Sequence, residues 1–96
     1  MKVIWSPLAI ERIEEIFDFI SYDKPSAANK WIDYIFDKID LLKSNPEMGP
    51  LVPEIEAPSI RELILGNYRI IYRCTGDIIR ILTGRNCRQQ LSVKDI

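Results

Sequence analysis

The residues best equipped for chemistry in this chain are its arginines. Six of the seven lie in the last third, at Arg61, Arg69, Arg73, Arg80, Arg85 and Arg88, whereas the lysines fall mainly in the first half. Lysine is the usual solvated surface charge; the planar guanidinium of arginine suits bidentate contacts to carboxylates and phosphates. Residues 1–60 carry six Lys/Arg against eleven Asp/Glu and residues 61–96 carry seven against three, although the net charge is only −1. The C-terminal part therefore reads as a recognition surface, with pairing to acidic residues of the same chain as the competing structural reading. The sequence has no histidine, which excludes Ser-His-Asp and Cys-His nucleophile systems and any His-containing metal site. Two cysteines cannot build a structural zinc site alone, and Gly49, Gly66, Gly76 and Gly84 are too dispersed to cradle a phosphate. No metal or cofactor is expected.

The elements that must position these arginines follow from hydrophobic spacing. With 96 residues, 47% hydrophobic and 28% charged, the chain suits a single domain, residues 1–96, burying roughly 60–65% of its unfolded surface. Its apolar runs are too short to span a bilayer. Met1-Lys2-Val3-Ile4-Trp5 lacks the apolar core and cleavage site of a secretory signal, so the cytoplasm is the expected compartment.

Residues 2–5 read as a short strand. Ser6-Pro7 reads as an N-cap and first helical position, and Ala9, Ile13, Ile16 and Ile20, widened by Ile10 and Phe17, predict a helix over 7–22. Ser26 can cap a second helix, with Ala28, Trp31, Ile35, Ile39 and Leu42 as its stripe. Four prolines between residues 44 and 59 exclude a helix or central strand there; Met48, Leu51, Val52 and Ile55 can anchor an ordered connection. From Ile60 the period becomes two, predicting strands 60–65, 68–73 and 78–83 joined at Gly66-Asn67 and Thr75-Gly76. Residues 87–96 read as a short edge strand or a loose tail. The order β-α-α-β-β-β gives an α+β fold, a helical hairpin packed on one face of a small antiparallel sheet.

A two-residue loop at Thr75-Gly76 sets Ile71 opposite Arg80, Arg73 opposite Ile78 and Arg69 opposite Leu82. Arg69, Ile71, Arg73, Ile78, Arg80 and Leu82 then share one face, and Tyr68, Ile70, Tyr72, Ile79 and Ile81 share the core face. A face mixing arginines with large aliphatics is what a partner segment would cover, unless residues 87–96 fold back over it. Arg61 falls on the core side: either the Gly66-Asn67 loop is not two residues long or Arg61 sits at the rim. Cys74 and Cys87 flank a strand ~20 Å long, too far apart for a disulfide. Arg85 or Arg88 could lower the pKa of Cys87, but packing and a free thiol are the simpler roles. Trp5, Trp31, Tyr68 and Tyr72 read as packing residues.

Val3-Ile4-Trp5-Ser6-Pro7-Leu8-Ala9, Met48-Gly49-Pro50-Leu51-Val52-Pro53-Glu54, Arg61-Glu62-Leu63, Gly66-Asn67-Tyr68-Arg69-Ile70-Ile71-Tyr72-Arg73 and Ile81-Leu82-Thr83-Gly84-Arg85 together cover nearly the whole chain. In this order they resemble the RelE/ParE superfamily of bacterial type II toxins, closest to its ParE branch. The resemblance implies a cytoplasmic toxin of a toxin–antitoxin system, the kind of module linked to plasmid stabilisation. It implies a cognate antitoxin whose C-terminal segment wraps the toxin, as a dimer or a hetero-oligomer. It further implies either ParE-like inhibition of DNA gyrase, without chemistry, or RelE-like cleavage of messenger RNA in the ribosome without metal. For the nuclease, Arg61, Arg69 and Arg85 match or approach the family's basic positions. Leu63 falls near a second basic position and cannot transfer a proton, and Leu91 or Ser92 stands where the nucleases place a tyrosine. Arginine alone is a poor proton shuttle because its pKa exceeds 12, and a pI of about 5.4 argues against direct nucleic-acid binding. The gyrase reading is therefore preferred, with Arg61, Arg85 and Arg88 as target-binding candidates. A non-toxic binding domain of the same fold is the remaining alternative.

Overall fold

A computed structural model describes the backbone of residues 1–96 and every side chain except that of Val93. The chain runs β1 (Lys2–Trp5), α1 (Pro7–Asp23), α2 (Pro25–Leu42), β2 (Ile60–Leu65), β3 (Tyr68–Thr75), β4 (Ile78–Asn86) and a 3-10 turn (Val93–Asp95). The sheet order is β1-β4-β3-β2. The β2–β3 and β3–β4 pairs are antiparallel, but β1 lies parallel to β4, so the sheet is mixed where a wholly antiparallel one was expected. The helical hairpin connects β1 to the rest of the chain, and a crossover of that kind permits parallel pairing where a tight turn cannot.

Ser6 fixes the start of α1. Its hydroxyl accepts the Ala9 N–H at 3.0 Å and donates to the Leu82 carbonyl at 2.8 Å, tying the helix cap to β4. For α2, Pro25 occupies the first turn and Lys24 the cap position without a side-chain bond, so Ser26 lies within the helix and does not cap it. The main core lies between the helices and the sheet. It holds Ala9, Ile13, Ile35, Ile39, Leu42, Leu63, Leu65, Ile70, Tyr72, Ile79 and Ile81, with Trp5 and Trp31 packed at its edge. Gly84 permits close approach of α1 to β4: a Cβ there would meet the Ile70 Cδ1 at 3.2 Å and the Ile16 Cδ1 at 3.4 Å.

Both hairpins turn on a glycine in the left-handed region, Gly66 at φ 66° and Gly76 at φ 58°. Leu65 pairs with Tyr68 and Thr75 with Ile78. The second loop is therefore Gly76-Asp77 rather than Thr75-Gly76, because the glycine takes the first central position in both turns. This changes the register but not the faces. Arg73 opposes Arg80 instead of Ile78, and a bulge between Ile71 and Tyr72 then sets Ile71 opposite Thr83 and Arg69 opposite Arg85.

The prolyl connection 44–59 is ordered, as its anchors require. Val52 is buried and Ile55 half-buried, whereas Met48 and Leu51 are exposed. Gly49 anchors it more firmly: its N–H donates to the Tyr72 hydroxyl at 3.1 Å, and that hydroxyl donates to the Pro46 carbonyl at 2.9 Å. Residues 87–96 form neither an edge strand nor a loose tail. They fold back across the sheet, burying Leu91 in a second cluster with Val52, Ile60 and Ile71.

Candidate functional site

The sheet face away from the helices is only partly open. Arg69 and Ile71 were expected on a free surface; both are buried by the connection and the tail, a correction to that expectation. The Arg69 side chain is 7% exposed and fully paired. Its Nη1 and Nη2 donate to the two carboxylate oxygens of Glu54 at 2.6 and 2.9 Å, and its Nε donates to Glu62 Oε1 at 2.7 Å. The Glu54 carboxylate also accepts the Leu91 N–H at 3.0 Å, locking the tail to the same centre. The Arg69 hydrogen bond is the main reason that the Glu54 carboxyl falls from 4.5 to about 2.

Arg85, the cross-strand neighbour of Arg69, is paired as well. Its Nη2 donates to both oxygens of Asp95 at 3.0 and 2.8 Å. Burial alone would raise the Asp95 carboxyl; hydrogen bonds from Arg85 and Ser92 outweigh it and the group is lowered. Two guanidiniums facing each other across a ladder repel, and three carboxylates, Glu62 on the neighbouring strand with Glu54 and Asp95 from the connection and the tail, offset that repulsion here.

The next arginine pair on the same face differs. Arg73 and Arg80 are direct cross-strand partners, and neither forms an ion pair among the described residues. Arg80 is exposed and Arg73 half-buried, with half-exposed Ile78 and Leu82 alongside. The expected face thus divides into a sealed half, Arg69 and Ile71, and an accessible half, Arg73, Ile78, Arg80 and Leu82.

Arg61 sits at the rim on the helix-covered side, resolving the alternative posed by its sequence position: the Gly66-Asn67 loop does have two residues. Its Nη1 donates to the carbonyls of Gly49 at 2.8 Å and Glu47 at 3.3 Å. The three arginines of the nuclease reading therefore do not converge. Arg69 and Arg85 are neighbours but engaged by carboxylates, and Arg61 is on the opposite face. Near Arg61, burial raises both the Tyr72 hydroxyl and the Cys74 thiol above their ordinary values, which disfavours either as an ionised base or nucleophile. Cys74 is half-buried, Cys87 exposed, and both are free thiols.

Arg85 and Arg88 also line a groove of about 500 Å³ between α1, the end of β4 and the start of the tail. Its α1 wall, Arg12 and Phe19, was missed by the sequence reading. Phe19 is 73% exposed and lies off the buried stripe of its helix, which was the available signal.

Known proteins are similar to this chain in sequence and fold. The family model of the ParE toxin of type II toxin–antitoxin systems, parDE, matches residues 3–90. A Sinorhizobium fredii protein described as "Putative toxin Y4kP" is 33% identical over 91 residues, covering 93% of this chain and 91% of its own length. A chain from the chromosomal ParDE toxin–antitoxin system of P. aeruginosa superposes with a TM-score of 0.73 at 25% identity, covering 90% of this chain and 95% of that one. A sheet with a helical hairpin on one face, matched along nearly its whole length by model, relative and structure, places this chain in the ParE toxin family of type II toxin–antitoxin systems.

Proposed function

We propose that this toxin arrests growth by binding DNA gyrase, that a cognate antitoxin neutralises it, and that the antitoxin covers the accessible half of the sheet's outer face. The observation that carries the reading is the contrast between the two arginine pairs. Arg69 and Arg85 are consumed by internal carboxylates, which removes the cationic centre that metal-free RNA cleavage would need for its crowded phosphate. Arg73 and Arg80 stand together without a counter-charge among the described residues, flanked by Ile78 and Leu82, which suits a partner segment bearing carboxylates and aliphatics. Arg88, exposed at the far end of β4, is the most available of the target-binding candidates; Arg61 and Arg85 are largely occupied within the chain.

The test combines two assays. Purified protein added to gyrase and relaxed plasmid is expected to abolish supercoiling or trap cleavage complexes. Co-expression of the adjacent reading frame is expected to restore growth, and the double variant Arg73→Glu/Arg80→Glu to weaken that protection. Undisturbed supercoiling with ribosome-dependent cuts in messenger RNA would favour the nuclease instead.

A further inference from the structure

We propose that free copies of this toxin associate head to tail, the outer face of α1 on one copy seating on the Arg73–Arg80 surface of the next. The two faces are complementary in charge and both carry apolar groups. α1 holds five carboxylates against one cation, Arg12, which Glu15 engages at 3.2 Å. Glu11, Glu14 and Asp18 recur at three- and four-residue spacing and share one exposed stripe with Tyr22. None of these three carboxylates forms an ion pair among the described residues. The register of β1 widens the cationic surface: Lys2 lies beside Ile78 and Ile4 beside Arg80. Lys2, Arg73 and Arg80 therefore share the outer face with Ile4, Ile78 and Leu82. Tyr22, 95% exposed, offers its ring to guanidiniums and aliphatics of that kind.

Neither face can be satisfied within one copy. Ala9 and Ile13 turn one side of α1 onto the sheet, so the carboxylate stripe looks outward from the helical layer, whereas Arg73 and Arg80 look outward from the other side of the sheet. The net charge of −1 leaves little overall repulsion between copies, while the segregated local charges attract. The opposed directions also determine the form of the assembly. A closed two-fold pair buries the same patch on both copies; two different patches on opposite sides of the molecule give an open stack. One consequence rests on the antitoxin reading: a partner covering Arg73 and Arg80 caps the stack, so the toxin is held either by its own copies or by the antitoxin.

Sedimentation velocity on the full chain without antitoxin tests the contact. The mass is expected to grow with protein concentration at about 0.05 M salt and to return to the monomer at about 1 M, where charges are screened beyond ~3 Å. Glu14→Lys/Asp18→Lys and Arg73→Glu/Arg80→Glu, each with unchanged thermal unfolding, are each expected to weaken association about tenfold or more. Mixed together they are expected to associate again, because each altered face meets the opposite charge on the other variant. A monomer at every concentration in low salt, a dimer that grows no further, variants that associate like the unchanged protein, or a mixture that stays monomeric would each overturn the head-to-tail contact. Protein from the adjacent reading frame is expected to dissolve the stack. If it binds and leaves the stack intact, the self-contact stands and the placement of the antitoxin on the Arg73–Arg80 surface is overturned. If the toxin alone stays monomeric while that protein binds it and protects cells, the antitoxin reading stands and the self-contact is refuted.

Discussion

On one face of one sheet, two pairs of arginines face each other across the same two strands, and they have opposite surroundings. Arg69 and Arg85 are enclosed by Glu54, Glu62 and Asp95. Arg73 and Arg80, a few residues along the ladder, have no carboxylate within ion-pair reach among the described residues. Residue type therefore does not assign function here; the counter-charge does. A neutralised pair, with Arg69 buried and Arg85 half-buried, fixes the connection and the tail onto the sheet, whereas a bare like-charged pair costs some stability and is suited to an external anion.

The contrast breaks most sharply at Arg69. Arg69→Met leaves Glu54 and Glu62 without their cation and is expected to cost about 3–5 kcal/mol, read from urea denaturation. A loss below ~1 kcal/mol would mean that the centre does not hold the sealed half together. The connection that delivers Glu54 is tested by Gly49→Ala. Its Cβ would collide with the Glu62 carbonyl oxygen and lie 2.8 Å from the Tyr72 hydroxyl, for an expected loss of about 1–3 kcal/mol. Acid supplies a milder probe. Because the folded Glu54 carboxyl is depressed from 4.5 to about 2, its contribution is complete above the unfolded value and fades as pH falls from 4.5 through 2. Glu54→Gln is expected to flatten the pH dependence of the urea midpoint in that window, and an unchanged slope would remove Glu54 from the acid response. The smallest effect is expected at the bare pair. Arg80→Glu should change stability by no more than ~0.5 kcal/mol while weakening antitoxin binding; unaltered binding in a folded variant would separate this surface from the partner.

Most of the framework was legible because its signals are local. Ser6-Pro7, the apolar stripes of α1 and α2, and the switch to period two at Ile60 each act over a few residues. The face assignment survived the misplaced second turn because a shift of two residues preserves alternation. Reading Gly76-Asp77 by analogy with Gly66-Asn67 would have placed that turn correctly. The sealing of Arg69 was illegible for the opposite reason. Glu54 and Asp95 are remote from Arg69 and Arg85 in sequence, and Leu91 meets Val52 and Ile71 only once the chain is folded. Glu62, a carboxylate among the apolar residues of β2, was the one local hint of an internal partner. The parallel pairing of β1 had no signal either, since no turn residue links it to β4. Arg12 and Phe19 lie outside the apolar stripe read for α1, and the groove they line depends on the distant end of β4 and the tail.

The most direct test of a toxin that works by binding is a paired measurement on one purified sample. Gyrase with relaxed plasmid and translating ribosomes with defined messenger RNA receive equal concentrations of protein. The expected result is lost supercoiling with an intact message. Cleaved message alongside normal supercoiling, abolished by Arg69→Met or Arg85→Ala variants confirmed to be folded, would contradict it.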